Sequence, residues 1–342
     1  MTTIRDVARH AGVSVGTVSN VLNDNSVVRE ETRLRVLDAI DTLQYHPSAA
    51  ARSLSTQHTN TIGMVRTELR PEKQRIETDP FILDLIDGIS AAAIETSTGL
   101  TFWTIPVGDH EMTLYERLVK GRQVDGLILF AVRQNDPRIA YLKETRFPFV
   151  VFGHDGLDES TNWIDVDGTY GIELAVDHLI GLGHEEIGYI APPAEQYLSD
   201  QRWKGFVSGM KKGELTFNSD LIVEGDYTEQ SGERGAQALL DQHAPPTAII
   251  CNNDRMAFGA MRAIQARGLE VGRDISVVGF DDITLTRYSH PPLTTVHQPI
   301  RVIGQMLFTM LQSIVTGDSS AIVSGTLIKP ELKIRQSTGP PP

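Results

Sequence analysis

Apolar residues in the first 45 positions recur at helical spacing and predict three short amphipathic helices. Residues 6–11 form the first, Gly12 makes a tight turn, and Ser14 caps a second helix that runs through Leu22. The third covers residues 30–43, with Leu34, Leu37, Ile40 and Leu43 on its apolar face. Three such helices in about 45 residues match the size of a minimal DNA-binding module. A helical hairpin can also stand at the start of a globular domain that does not bind DNA.

The second predicted helix presents small, uncharged side chains to the outside. A major groove admits such a helix, and asparagine pairs naturally with adenine at base edges. We therefore expect DNA contacts from this helix and from the residue that follows it: Ser14, Val15, Gly16, Thr17, Ser19, Asn20 and Asn23.

From Thr61 onward, continuous apolar runs alternate with helical stretches. This pattern predicts parallel sheets covered on both faces, and its length favours two doubly wound lobes. The predicted strands are residues 62–65, 100–105, 126–130, 149–152, 187–191, 221–224, 248–251 and 276–280. The first lobe is predicted to contain about 61–161 and 296–322, and the second about 162–293 and 323–338.

Composition favours a cytoplasmic protein that associates with the nucleoid when bound to DNA. The chain has 342 residues, a formal net charge of −13 and one cysteine, Cys251, in an apolar run. Residues 1–58 hold six arginines and six acids, so non-specific attraction to phosphates should be modest. No apolar run approaches the roughly 20 residues of a membrane span, and no signal-peptide core is present.

Three segments carry a resemblance to a known family. They are residues 4–23 (IRDVARHAGVSVGTVSNVLN), 49–54 (AAARSL) and 275–299, which include ISVVGFDD and PPLTTVHQP. Together they resemble the lac repressor family of bacterial transcription regulators, from Ile4 to about Arg335. The resemblance implies a helix-turn-helix domain at 1–46, a hinge helix and linker at 47–60, and an effector-binding and dimerisation core at 61–338 that is similar to periplasmic binding proteins. It also implies minor-groove contacts from Ala51 and Leu54, with Leu54 wedged between base pairs.

Polar residues at predicted strand ends suggest where a small molecule binds, because parallel sheets bind ligands at the carboxyl ends of their strands. The resemblance places Arg202, Asn253 and Asp281 at hydrogen-bonding positions, with Gln298 nearby, and aromatic contacts at Phe81, Trp163 and Tyr227. Other roles stay open: Arg202 could pair with a surface acid, Phe81 could staple a helix start, and Asp254 could cap a helix. His154-Asp155 stands where many relatives have an Asp-Arg pair, so the ligand could differ in detail.

The sequence thus predicts a repressor whose affinity for double-stranded operator DNA is controlled by a small molecule, a sugar by preference. A purine-responsive regulator of the same family and a sugar-binding protein without DNA function are the alternatives. An enzyme is not expected, because no nucleophile–base motif, phosphate loop or metal-spaced cluster is present, and His178 and His184 suit surface or capping roles. No cofactor, metal or membrane partner is expected. The ending Gly339-Pro340-Pro341-Pro342 cannot continue a helix, so we expect a homodimer rather than a tetramer.

Overall fold

The chain forms two compact units, Met1–Asn60 and Thr61–Pro342, each with its own apolar core. The computed structural model describes residues 2–22, 28–45, 58–68, 79–106, 110–133, 135–154, 161–194, 196–318 and 325–342. The expected contacts of Asn23, Ala51 and Leu54, the Asp155 position and most of the hinge lie outside the described residues.

The first unit contains helices α1 (Ile4–Ala11), α2 (Val15–Leu22) and α3 (Glu30–Thr42). Helix α1 begins two residues earlier than predicted because Asp6 reaches back to Thr3. The Asp6 carboxylate accepts the Thr3 backbone N–H at 3.0 Å and its hydroxyl at 2.6 Å. Gly12 follows with a φ of +64°. Glycine adopts this left-handed conformation at little cost, so it permits the tight turn between α1 and α2.

The buried face of α3 differs from the predicted one. Leu34 and Leu37 are 58% and 45% exposed, whereas Val36 and Ala39 are buried and Ile40 packs against them. Residues 36, 39, 40 and 43 have the same i, i+3, i+4, i+7 spacing as a core-facing stripe. The sequence held two overlapping stripes on one helix, and the fold buries the one with the smaller side chains.

The second unit contains twelve strands within its described residues. They are β1 (Thr61–Glu68), β2 (Gly99–Pro106), β3 (Gly126–Leu129), β4 (Phe149–Phe152), β5 (Trp163–Val166), β6 (Ile187–Ala191), β7 (Ile222–Glu224), β8 (Ala248–Cys251), β9 (Ser276–Asp281), β10 (Thr294–His297), β11 (Thr326–Ile328) and β12 (Glu331–Lys333). Its α-helices are α4 (Pro80–Glu95), α5 (His110–Lys120), α6 (Pro137–Glu144), α7 (Gly168–Gly181), α8 (Tyr197–Lys212), α9 (Glu229–Leu240), α10 (Asp254–Ala266) and α11 (Ile300–Thr316).

These strands form two six-stranded sheets. The first has the order β11-β5-β4-β3-β1-β2 and is parallel throughout. The second has the order β12-β10-β9-β8-β6-β7 and is parallel except for the β10–β12 pair. Strands β3 and β8 are buried along their whole length, as expected for sheets covered on both faces. The predicted α/β class with two doubly wound lobes is confirmed.

The sheets correct the predicted points at which the chain crosses between lobes. Strands β5 and β11 belong to the first sheet, and β10 belongs wholly to the second. The crossings therefore follow Val166, His297 and Ile328 rather than residues 161, 293 and 322. The prediction was wrong because β5 and β11 are short, and each lies at or beside an open sheet edge, where an apolar run is not required.

No helix within the described residues is both long and apolar enough to cross a membrane.

Candidate functional site

The expected DNA-contacting side chains lie on the outer face of α2. Ser14, Val15, Gly16 and Asn20 are exposed, and Thr17 and Ser19 are partly exposed. Ser14 also caps the helix as predicted, because its hydroxyl oxygen accepts the backbone N–H of Thr17 at 3.1 Å. The helix is fixed from behind by Val18 and Val21, which are buried in the head core. The result is a rigid helix with a small, uncharged outer surface.

A cavity of about 550 Å³ lies in the second unit, between the carboxyl ends of the strands of the two sheets. Residues at or just after the ends of β1, β3 and β4 form part of one wall, and residues at or just after the ends of β6, β8 and β9 form part of the other. In doubly wound folds this edge is the ligand-binding edge, and the volume suits a small organic molecule. Six of the seven predicted ligand residues line the cavity: Phe81, Arg202, Tyr227, Asn253, Asp281 and Gln298.

Arg202 is the central cation of the cavity. It lies on α8 and is only 8% exposed. Its Nη1 donates to the Asn252 carbonyl oxygen, and its guanidinium carbon lies 3.8 Å from the centre of the Phe280 ring. These contacts fix the orientation of the Arg202 guanidinium, which lines the cavity. The structure therefore does not support the alternative in which Arg202 pairs with a surface acid.

Asp281 is the last residue of β9, and it lines the cavity. Its Oδ1 accepts Gln298 Nε2 at 2.6 Å, so the two predicted residues act as one unit. Burial raises the pKa of Asp281 well above its ordinary value, and the neighbouring Asp254 raises it further, while Arg202 opposes both. The backbone φ of Asp281 is +121°, a conformation that costs energy in a residue other than glycine and is often found at binding sites.

Asn253, rather than Asp254 as predicted, caps helix α10. Asn253 is the cap of α10: its side-chain oxygen accepts the Met256 N–H at 2.8 Å, and its amide donates to the Tyr227 carbonyl at 3.1 Å. Asp254 is fully buried below the cavity wall, where it accepts the Thr295 hydroxyl and the Ile283 N–H. Asn253 therefore lines the cavity and is also needed for the helix start.

Asp282 has a structural role. Arg335 Nη2 donates to its Oδ1 at 2.6 Å, and His297 Nδ1 lies 3.0 Å from its Oδ2. Although burial opposes ionisation, these two partners and Thr286 lower the pKa of Asp282 to about 2. Its carboxylate fastens β10 and the C-terminal segment to the end of β9.

The aromatic predictions divide. Phe81 lines the cavity beside Phe152, with ring centres 6.0 Å apart, and Tyr227 lines it while its hydroxyl donates to Gln196 Oε1 at 2.6 Å. Trp163 is not among the residues that line the cavity, so its contact with the ligand stays a prediction. It lies behind His154, whose ring centre is 4.3 Å from that of Trp163, and it is His154 that reaches the cavity wall.

The structure adds three cavity acids that the sequence analysis missed: Asp79, Asp165 and Asp226. Asp165 on β5 accepts the Val166 N–H at 2.7 Å and the His154 N–H at 3.2 Å, and burial raises its pKa to about 6. Asp79 caps α4 through the Phe81 N–H, and burial raises its pKa while Arg255 opposes the rise. An aspartate just before a proline was a possible signal for Asp79, since Asp and Pro often begin helices together. Asp165 carried no signal, because it sits inside a strand.

His184 also departs from its predicted surface or capping role. It is buried, and its Nδ1 lies 2.8 Å from Thr247 Oγ1 while its Nε2 lies 2.8 Å from the Gly339 carbonyl oxygen. It fastens the C-terminal segment to the second sheet and is not among the residues that line the cavity. No cluster of three or more potential metal ligands is found among the residues that the structure describes.

Replacing Asp254 with asparagine should change how stability depends on pH. Burial raises the pKa of Asp254 above its ordinary value of 3.8, so the folded protein holds a proton that the unfolded chain has lost. The free energy of unfolding should therefore fall as the pH rises from about 4 towards that raised pKa, by about 1.4 kcal/mol per pH unit. Asp254→Asn should flatten this decline, as measured by thermal melting between pH 4 and pH 8.

The matched control for this change is Asp177→Asn, on the exposed side of α7, where Asp177 pairs with Lys212 at 2.7 Å. It should leave the slope of stability against pH unchanged. An Asp254→Asn protein with the wild-type slope would show that Asp254 is ionised in the folded protein throughout this range.

Comparison with known proteins adds independent information. The family described as "Bacterial regulatory proteins, lacI family" matches residues 3–48, and "Periplasmic binding protein-like domain" matches residues 176–338. The chain is 35% identical to an HTH-type transcriptional repressor PurR of Photorhabdus laumondii over 314 residues, which is 91% of this chain and 89% of that protein. The PurR of Photobacterium profundum is 34% identical over 98% of both chains.

Solved structures show the same likeness over nearly the whole chain. A lac repressor dimer bound to operator and the anti-inducer ONPF has a TM-score of 0.83 and 29% identity, covering 99% of each chain. A complex of the transcriptional regulator CelR with cellobiose has a TM-score of 0.75 and 29% identity, covering 98% of this chain and 100% of that one.

Proposed function

The chain belongs to the LacI family of bacterial regulatory proteins and is a DNA-binding transcriptional repressor, and we propose that a sugar bound in the cavity sets its affinity for operator DNA. Members of this family are not enzymes, and the cavity residues are accordingly assigned to binding. The predicted ligand residues Arg202, Asp281, Gln298, Asn253, Phe81 and Tyr227 then hold the effector, while α2 reads the DNA.

The positions of the polar groups around the cavity favour a sugar as the ligand. Asp79 and Asp165 come from the first lobe, and Arg202 and Asp281 come from the second. A sugar has hydroxyl groups around its whole perimeter, so it can hydrogen-bond to both lobes at once. Aromatic faces such as Phe81 and Tyr227 suit the C–H faces of a sugar ring.

A purine is the second candidate. It is favoured by the relatives that are 34–37% identical over most of the chain and carry the name HTH-type transcriptional repressor PurR. A flat base would use the same aromatic faces, with Arg202 and Asp281 at its edge. The sugar remains first because the polar groups lie on opposite walls rather than in the plane of one ring.

The test is a binding screen with the full chain against sugars and purines, followed by DNA binding with and without each ligand found. A ligand at 100 times its dissociation constant adds about 2.7 kcal/mol to stability, which thermal melting readily detects. The operator is first selected from random double-stranded DNA. A sugar that raises the melting temperature and changes operator affinity supports the proposal, and a response to purines alone selects the second candidate.

The protein is further proposed to bind a near-palindromic operator as a homodimer. One head reads few base pairs, and two-fold pairing doubles the length of the site. The related lac repressor structure is that of a dimer bound to operator. Footprinting should therefore show two symmetric half-sites, and protection of one asymmetric half-site would contradict the proposal.

Asn20→Ala should relax the sequence preference of the operator at one base pair of each half-site. Asn20 is exposed on α2, so its loss should remove about 1–3 kcal/mol of discrimination there without disturbing the head core. Fluorescence anisotropy with a set of single-base operator variants measures the effect. Glu31→Ala, an equally exposed change on α3, is the control and should preserve the preference at every position. Uniform weakening by Asn20→Ala would instead assign Asn20 to a phosphate contact.

A further inference from the structure

The two lobes of the second unit contact each other directly across the cavity. Arg255, the second residue of α10 in the second lobe, places its Nη1 3.9 Å from Oδ2 of Asp79, which precedes α4 in the first lobe. Both residues line the cavity. Another contact joins the segment after β3 to the segment after β6, where Arg133 and Gln196 form an antiparallel bridge. The lobes therefore meet through protein groups as well as through the crossing segments.

Arg255 is held in place by its own lobe. Its side chain is only 10% exposed, and its Nε and Nη2 donate to the two carboxylate oxygens of Glu229 at 2.7 and 2.6 Å. Glu229 is the first residue of α9, so this pair also joins the starts of α9 and α10. Two-point pairing of this kind fixes the plane of a guanidinium group. Arg255 is therefore a rigid part of the second lobe that presents its positive charge to the first lobe.

Asp79 is fixed to the first lobe in the same way. Its Oδ1 accepts the Phe81 N–H at 3.1 Å and so caps α4, while its Oδ2 is the oxygen that faces Arg255. Helix α4 in turn buries Leu85 and Ile89 in the core of the first lobe. Both charges are largely shielded from water, which strengthens their attraction. Because separating the lobes would pull these charges apart, the contact favours the arrangement in which the lobes lie together.

We propose that Asp79 and Arg255 form a clasp that holds the two lobes together across the cavity, and that the clasp acts whether or not a ligand is bound. Only side chains of this chain make the contact, so it needs no ligand to form. A ligand shifts an equilibrium that already exists between two arrangements. The clasp therefore sets how much binding energy an effector must supply to change the arrangement of the lobes. This inference does not depend on the chemical class of the effector.

The separation of the lobes can be measured in the full chain without any ligand. Glu144→Cys at the exposed end of α6 and Ala238→Cys on the exposed side of α9 place one spin label on each lobe. The native Cys251 is buried, so it should not react with the label. Excess unlabelled chain is added so that each assembly carries one labelled subunit. Pulsed electron paramagnetic resonance then gives the ratio of separated to closed lobes.

Asp79→Asn should raise the ratio of separated to closed lobes by about threefold or more. It removes the charge but keeps an oxygen for the Phe81 N–H, and asparagine caps a helix as well as aspartate does. Arg255→Gln should raise the ratio in the same way. The double variant should be no more open than Arg255→Gln alone, because both changes remove the same contact.

Glu233→Gln is the matched control. It breaks the ion pair of Glu233 with Arg262, which also joins α9 to α10 but lies wholly within the second lobe, and it should leave the ratio unchanged. Thermal melting checks that each variant is folded. A wild-type ratio in both Asp79→Asn and Arg255→Gln overturns the clasp, and so do additive effects in the double variant, which would show that the two side chains act separately. Because no ligand is present, either result leaves the proposed control by a sugar intact.

Discussion

Arg202→Ala should weaken binding of the cavity ligand by about 100-fold or more. Charge-assisted hydrogen bonds contribute about 1.5–3 kcal/mol each, and the loss also leaves the buried Asn252 carbonyl without the donor that Arg202 supplies. Removing the guanidinium uncovers the face of Phe280 as well, so the wall should lose its shape together with its charge. The affinity is measured by calorimetric titration with the ligand that the binding screen identifies.

Two further variants separate these contributions. Arg202→Lys keeps the positive charge but lacks the planar group that lies over Phe280, and we expect it to recover only part of the affinity. Arg273→Ala removes an exposed arginine that pairs with Glu270 and Asp274, and it should bind the ligand as the wild type does. Wild-type affinity in Arg202→Ala would exclude Arg202 from the ligand site.

The parts of the fold that could be predicted are those where burial dictates the sequence. Strands such as Phe149–Phe152 and Ala248–Cys251 agree with prediction at both ends, because a strand covered on both faces must be apolar throughout. Strands β5 and β11, at or beside the open edge of the first sheet, escape that requirement. The predicted crossing points failed for this reason, and not because the alternating pattern was misread.

The cavity was predictable where a residue follows a buried strand directly. Asp281 and Asn253 come at the ends of β9 and β8, and parallel sheets gather such ends at one edge. Asp165 could not be found this way, because it lies inside a strand and resembles an ordinary polar position. Only the assembled sheet shows that its carboxyl group is buried beside the cavity.

The position of Trp163 outside the cavity lining has a simple geometric cause. Side chains two residues apart lie on the same face of a strand, about 6.6 Å apart along its axis. Trp163 and Asp165 share a face of β5, but Asp165 is nearer to the carboxyl end, where the cavity lies. Trp163 is one layer deeper and supports the His154 ring. Resemblance to a family can indicate that an aromatic residue lies near the ligand site. It does not determine how far along its strand that residue lies from the cavity.

Gly259→Ala should destabilise the protein by about 2 kcal/mol or more and lower its melting temperature by several degrees. Helices α9 and α10 are in backbone contact at this point. A Cβ atom at position 259 would lie 1.9 Å from the Glu229 carbonyl oxygen and 2.7 Å from the Glu233 nitrogen, so the helices would have to separate. Alanine is favoured over glycine in a helix by only about 1 kcal/mol, which cannot offset such a clash.

Gly181→Ala is the matched control, because it makes the same change at the end of α7 where no atom lies within 4 Å of the added Cβ. Its melting temperature should stay the same or rise. Since α10 begins at the cavity beside Asn253 and α9 begins just after Tyr227, Gly259→Ala should also weaken ligand binding while Gly181→Ala does not. Equal melting temperatures for the two variants would mean that helices α9 and α10 can separate without loss of stability. Their contact would then not fix the position of the cavity wall.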